Sequence, residues 1–201
     1  MSLIGQLIPR ITALRAMSKY PSKKMLKNIA ESTIISKVSI GIELWGGIPL
    51  YLQQRLQSML IQTARIVIGP QLLRMSAEKM FLDLNWLGFS QLSAYITTKT
   101  ANKIEYIHLP LTLHENIQKE NNIQFSPRTR NQRNGYIRQR NWRKNVSRNS
   151  FTYRAINLLN NIPENIKTMR ERMPKKYKIS LKTYIQQTNP VTIRQFPLQT
   201  H

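Results

Sequence analysis

The sequence predicts a mainly α protein built from several short helical pieces. Apolar residues recur at intervals of three and four through most of the first 107 positions, which is the spacing that lines one face of a helix. Gly and Pro fall mainly between these stripes, at Pro21, Gly46-Gly47, Pro49, Gly69-Pro70 and Gly88. From residue 121 the stripe lapses into a cationic, Asn-rich stretch, and it resumes near residue 150. The expected architecture is an N-terminal three-helix bundle (1–69), a small helical connector (70–120), a basic irregular arm (121–149), a C-terminal helix pair (150–190) and a tail (191–201).

Leu3, Leu7, Ile11 and Leu14 share one face of a first helix, which Pro9 should interrupt or kink. Tyr20-Pro21 forms a joint. Leu26, Ala30, Ile34, Val38 and Ile42 then recur every fourth residue, with Trp45 one turn on, and Ser22 is placed to cap the start. The β-branched run from Thr33 to Ile42 argues for a strand, but about twenty residues without a break exceed an ordinary strand's length. Pro49 suits the first turn of the next helix, whose stripe is Leu52, Leu56, Met59, Leu60, Thr63, Ile66 and Val67. The short connection implies an antiparallel pair sharing a core, with Trp45 buried against the second helix. Ser76 caps a short helix with Phe81 and Leu84 inward, and Trp86 is a core anchor rather than a stacking platform. Ser90 starts a further helix with Leu92, Tyr95, Ile96, Ile104 and Ile107 as its stripe.

The 201 residues carry 31 Lys and Arg against nine acids, a formal charge of +22. Such a chain calls for a polyanion, first nucleic acid and second an anionic membrane surface. Zero Cys excludes disulfides and cysteine-based zinc sites, and no apolar run is long enough to span a bilayer. Arg10, Arg15, Lys19, Lys23, Lys24 and Lys27 precede the first acid, Glu31, a composition shared with mitochondrial presequences. A nuclear or cytoplasmic address is favoured, with the mitochondrial one left open.

Between Asn121 and Pro163 lie Arg128, Arg130, Arg133, Arg138, Arg140, Arg143, Lys144, Arg148 and Arg154 with no acid, interleaved with Phe125, Tyr136, Trp142, Phe151 and Tyr153. Arg forks suit phosphate and aromatic rings suit bases, so these nine cations and Trp142 are candidate nucleic-acid contacts, joined by Lys23, Lys24, Lys27 and Lys37 of the bundle. Polymerase-type chemistry needs at least two carboxylates converging on metal ions. The chain has one Asp, Asp83, and its Glu residues form no acidic pair, so no catalytic residue and no metal site is expected. His108, His114 and His201 have no companion at ligand spacing.

Four stretches carry a resemblance. Ser36-Lys37, Gly41 through Trp45-Gly46-Gly47, and Leu56-Gln57 to Ala64-Arg65 resemble the thumb region of non-LTR retrotransposon reverse transcriptases, with Ile40 where that family has an aromatic residue. Leu84-Asn85-Trp86-Leu87-Gly88-Phe89 and on to Tyr95 is similar to the segment that follows that thumb. Ser150-Phe151-Thr152-Tyr153-Arg154-Ala155 through Asn160-Asn161-Ile162-Pro163 is similar to the family's C-terminal signature, with Leu159 for its Trp and Ile162 for its Leu. Tyr177 to Lys182 resembles its last helix, so the likeness covers roughly residues 3–190. It implies a thumb-like bundle that holds RNA, DNA or an RNA–DNA hybrid by the backbone. It also implies that the palm and fingers, with their Mg, lie outside this chain, which itself holds no cofactor. The rival expectations are a structural RNA-binding subunit, such as a mitochondrial ribosomal protein, and a decayed reading frame.

Overall fold

A computed structural model describes residues 2–69, 75–107 and 149–188. Every regular element among them is helical, so the fold is mainly α. The described residues fall into two compact units that are not chain-order blocks. Residues up to Ile42, Ile48–Ser93 and the chain from Ile185 form the first; Glu43–Gly47 and Ala94–Tyr184 form the second.

In the first unit, α1 (Leu3–Met17) starts at Ser2, whose hydroxyl accepts the Gly5 amide at 3.2 Å. It runs through Pro9 without a break. The proline costs about 3 kcal/mol. The buried side chains on either side of it, Leu7, Ile11 and Leu14, together contribute roughly 5–9 kcal/mol, and burial wins.

The expected long helix after Ser22 is broken into pieces. It comprises α2 (Lys23–Ala30), a π turn (Glu31–Ile35), α3 (Ser36–Ser39) and, beyond an extended Ile40 and a left-handed Gly41, α4 (Ile42–Trp45). The stripe itself is right, for Leu26, Ala30, Ile34, Val38 and Ile42 are all buried. A strict four-residue repeat drifts about 40° per step around an α-helix. The wider π turn takes back part of that drift and keeps the stripe on the core. Local chemistry favours the distortion. The hydroxyls of Ser32 and Thr33 both bond the Ile29 carbonyl, and those of Ser36 and Ser39 bond the carbonyls of Ser32 and Ile35. Such back-bonding competes with the backbone ladder and bends helices.

Helix α5 (Leu50–Ile68) is the centre of this unit and packs against α1, α2 and α6 (Ala77–Asp83). Leu56, Met59, Leu60, Thr63, Ala64 and Val67 form its buried face. Trp86 is buried too. Its indole N–H donates to Glu31 Oε1 at 2.7 Å, and its ring meets Phe81 edge-on, 6.5 Å between centroids. Gln57 accepts the Phe89 amide at 2.6 Å and Gln91 accepts that of Gly88 at 3.0 Å, satisfying early amides of α7 (Phe89–Ile107).

The second unit takes up the rest of α7 with α8 (Phe151–Asn161), α9 (Glu164–Arg172) and most of α10 (Pro174–Thr188). The C-terminal helix pair expected from sequence is therefore three helices. Pro163 and Pro174 begin the second and third, as proline does where an amide would lack a partner anyway. Phe151, Ala155, Ile156, Leu159, Ile162, Ile166, Tyr177 and Leu181 are buried. The Tyr184 hydroxyl caps α8 by donating to the Asn161 carbonyl at 2.6 Å, and Asn102 bonds the Tyr177 hydroxyl. Trp45, expected to be buried, is half-buried and belongs to this unit.

Candidate nucleic-acid interface

The structure gives Arg154 a job the sequence did not suggest. Ser150 caps α8 by accepting the Tyr153 amide, and one turn on the Arg154 guanidinium turns inward. Its Nη2 donates to the carbonyls of Glu43 and Leu44. These carbonyls lie at the end of α4, where the helix has no amides of its own to fill them and where a cation suits its dipole. Burial lowers the guanidinium pKa from its usual value, and the charge of Glu43 opposes that shift. Beside this contact, Gly47 lies so close to Asn149 that a Cβ would come within 2.5 Å of its carbonyl oxygen, so only glycine fits. The segments Leu44-Trp45-Gly46-Gly47 and Asn149 to Ala155, a hundred residues apart, are thus joined. Arg154 is a clamp within the chain.

Arg128, Arg130, Arg133, Arg138, Arg140, Trp142, Arg143, Lys144 and Arg148 lie outside the described residues. Of the remaining candidates, Lys23, Lys24 and Lys27 share the first two turns of α2, while Lys37 sits half-buried on α3 beyond the π turn. Lys27 faces Glu31 at 3.7 Å, the carboxylate that also accepts the Trp86 indole. Lys23 and Lys24 are exposed, and no carboxylate pairs with either among the described residues. The first turn of α2 holds no acid, so both charges sit at the positive end of the helix dipole, a placement that costs about 0.3–1 kcal/mol each. Arg10, overlooked in the sequence as a possible clamp, donates to the Thr33 carbonyl in the π turn at 2.8 Å.

The sequence reading also passed over Tyr20. Between Lys19 and Pro21 its side chain is 88% exposed, with Met25 and Met17 partly exposed nearby in the chain. Its neighbours in sequence were the available signal, since Arg15, Lys19, Lys23, Lys24 and Lys27 surround it without an acid.

Among the described residues no cluster of His, Asp or Glu could hold a metal ion, and no helix is long and apolar enough to cross a membrane. Asp83 is exposed at the last position of α6. Compared with protein-family models, curated proteins and solved structures, the chain matches none of them.

Proposed function

We propose that this chain is a nucleic-acid-binding, C-terminal part of a non-LTR retroelement reverse transcriptase, comprising thumb and connector. It holds template–primer or target strands through their phosphates and performs no polymerisation itself, because the paired catalytic aspartates belong to a palm outside this sequence. The observation that carries the binding is the charge of +22, which the protein's own acids cannot balance. The family part is supported by the contact of Gly47 with Asn149 and of Arg154 with Glu43 and Leu44, because the two segments so joined are two that resemble that family. A cleaved presequence fits less well. Residues 3–17 supply Leu7, Ile11 and Leu14 to the core of the first unit.

The test is equilibrium binding to an RNA–DNA hybrid across a salt series. Affinity should fall steeply, with a slope of log K against log salt near −0.9 per phosphate on B-form DNA and shallower on other strands. Replacing Arg138, Arg140, Arg143 and Lys144 together by Ala should flatten the slope by about three to four units on duplex DNA. Absence of binding at low salt sinks the proposal. An unchanged slope in the quadruple variant moves the contact surface off residues 121–149.

A further inference from the structure

We propose that the joint between α1 and α2 takes an unpaired nucleotide, with its base stacked on Tyr20 and the flanking phosphates held by Lys19, Lys23 and Lys24. This rests on the reading that the chain binds nucleic acid, and it adds the form of the strand.

The joint is short and fixed at both ends. The Ser18 amide and hydroxyl both donate to the Arg15 carbonyl, at 3.3 and 2.8 Å, and the Tyr20 amide donates to the Met17 carbonyl at 3.1 Å. On the far side Ser22 accepts the Met25 amide at 3.3 Å, and its carbonyl accepts that of Leu26 at 2.9 Å. Pro21 removes one further backbone freedom. Backbone already fixed in this way does not have to be ordered when the ring binds, and that lowers the cost of association.

Packing does not explain the ring's position. Tyr20 is the most exposed of the large apolar side chains among the described residues, and Met25, five positions on, is 58% exposed. Lone exposed aromatics are common. This one lies in the run 15–27, which holds five cations and no acid. Lys23 and Lys24 stand in an unfavourable place in α2 and are exposed without a carboxylate among the described residues. An incoming phosphate supplies the counter-charge the chain omits, while the ring supplies a face that any base can use. A base inside a duplex has both faces covered by its neighbours. The combination therefore selects single strands or frayed ends over continuous duplex.

The experiment measures binding of the full chain to a labelled mixed-sequence single-stranded oligonucleotide, as DNA and as RNA, and to the same sequence as duplex. Vesicles containing phosphatidylglycerol serve as a further probe. Tyr20→Ala should weaken single-strand binding by about 5- to 150-fold with an unchanged salt slope, and should leave duplex binding nearly as it was. Tyr20→Phe keeps the ring and should keep the affinity. Lys23→Gln with Lys24→Gln should instead flatten the single-strand salt slope, by about 0.7 per lysine. Single-strand binding by Tyr20→Ala equal to the parent's overturns the proposal, as does an equal loss on single strand and duplex. A loss confined to vesicles makes the joint a membrane contact instead. If the parent binds no nucleic acid, the proposed function fails and this inference with it. If the parent binds and Tyr20→Ala is silent, only this inference fails.

Discussion

Helices α5 and α7 are both 19 residues long, yet their buried faces have different chemistry. In α5 the inward positions are mostly large and aliphatic, and its one buried hydroxyl, Thr63, donates to the Met59 carbonyl at 2.8 Å. In α7 they include Gln91, Ser93, Thr97, Thr98 and Asn102, with Ala94 and Ala101 between them. The hydroxyls of Thr97 and Thr98 are buried without a hydrogen-bond partner. The comparison teaches that helicity and burial are separate questions. Both segments form helices of equal length, and the stripe of α7 marks Leu92 and Ile104 as buried but gives no sign of the polar side chains buried with them. In α7 buried polar and small side chains stand among the buried Phe89, Leu92 and Ile104.

The largest expected effect tests the aliphatic side of this contrast. Leu60 is fully buried, and Leu60→Ala should lower unfolding free energy by about 2–5 kcal/mol in a denaturant titration. A loss below about 1 kcal/mol would mean that α5 does not organise the first unit. A smaller effect of opposite sign is expected in α7. Thr97→Val replaces an unsatisfied buried hydroxyl with a methyl and should raise stability by about 1 kcal/mol. Destabilisation by that much would show that the Thr97 hydroxyl is bonded after all, and would narrow the contrast between the two helices. The smallest effect concerns Tyr95 on α7. Burial raises its phenol pKa from the ordinary 10.0, so the fold favours the protonated form. That contribution is complete below about pH 10 and is lost as pH rises through the raised value. Tyr95→Phe should therefore flatten the fall in stability at alkaline pH, measured as unfolding midpoint against pH. An identical alkaline slope in the variant would remove Tyr95 from the cause.

Most of the aliphatic stripes were legible from spacing alone: Leu26, Ala30, Ile34, Val38 and Ile42 point inward as the sequence predicts, while Leu52 and Ile66 on α5 and Tyr95 and Ile96 on α7 are only half-buried. The π turn was not legible, because a repeat of four is compatible with a regular helix over a few turns. What decides between them is the back-bonding of Ser32, Thr33, Ser36 and Ser39, a local competition invisible to hydrophobic pattern. Pro9 does not interrupt α1, since its local penalty is outweighed by burial that only the fold supplies. Among candidate contacts, Lys23 and Lys24 could be found from charge. The inward turn of Arg154 could not, because a guanidinium fits a pair of helix-end carbonyls as readily as a phosphate. Tyr20 needed its exposure to be known before its cationic neighbours meant anything.

The contact of Arg154 with Glu43 and Leu44 also sets a timetable for folding. Closing a loop of about 110 residues costs on the order of 4 kcal/mol before any contact rewards it. At a synthesis rate of about 5–20 residues per second, the chain near Gly47 waits roughly 5–20 s on the ribosome before Asn149 and Arg154 exist. During that interval the carbonyls at the end of α4 have neither amide nor guanidinium, and the space beside Gly47 is open. The first unit draws most of its core from residues that precede Ser93, and it can assemble early. The short run Glu43–Gly47 cannot, so the second unit is completed late, from a piece made early and held in reserve.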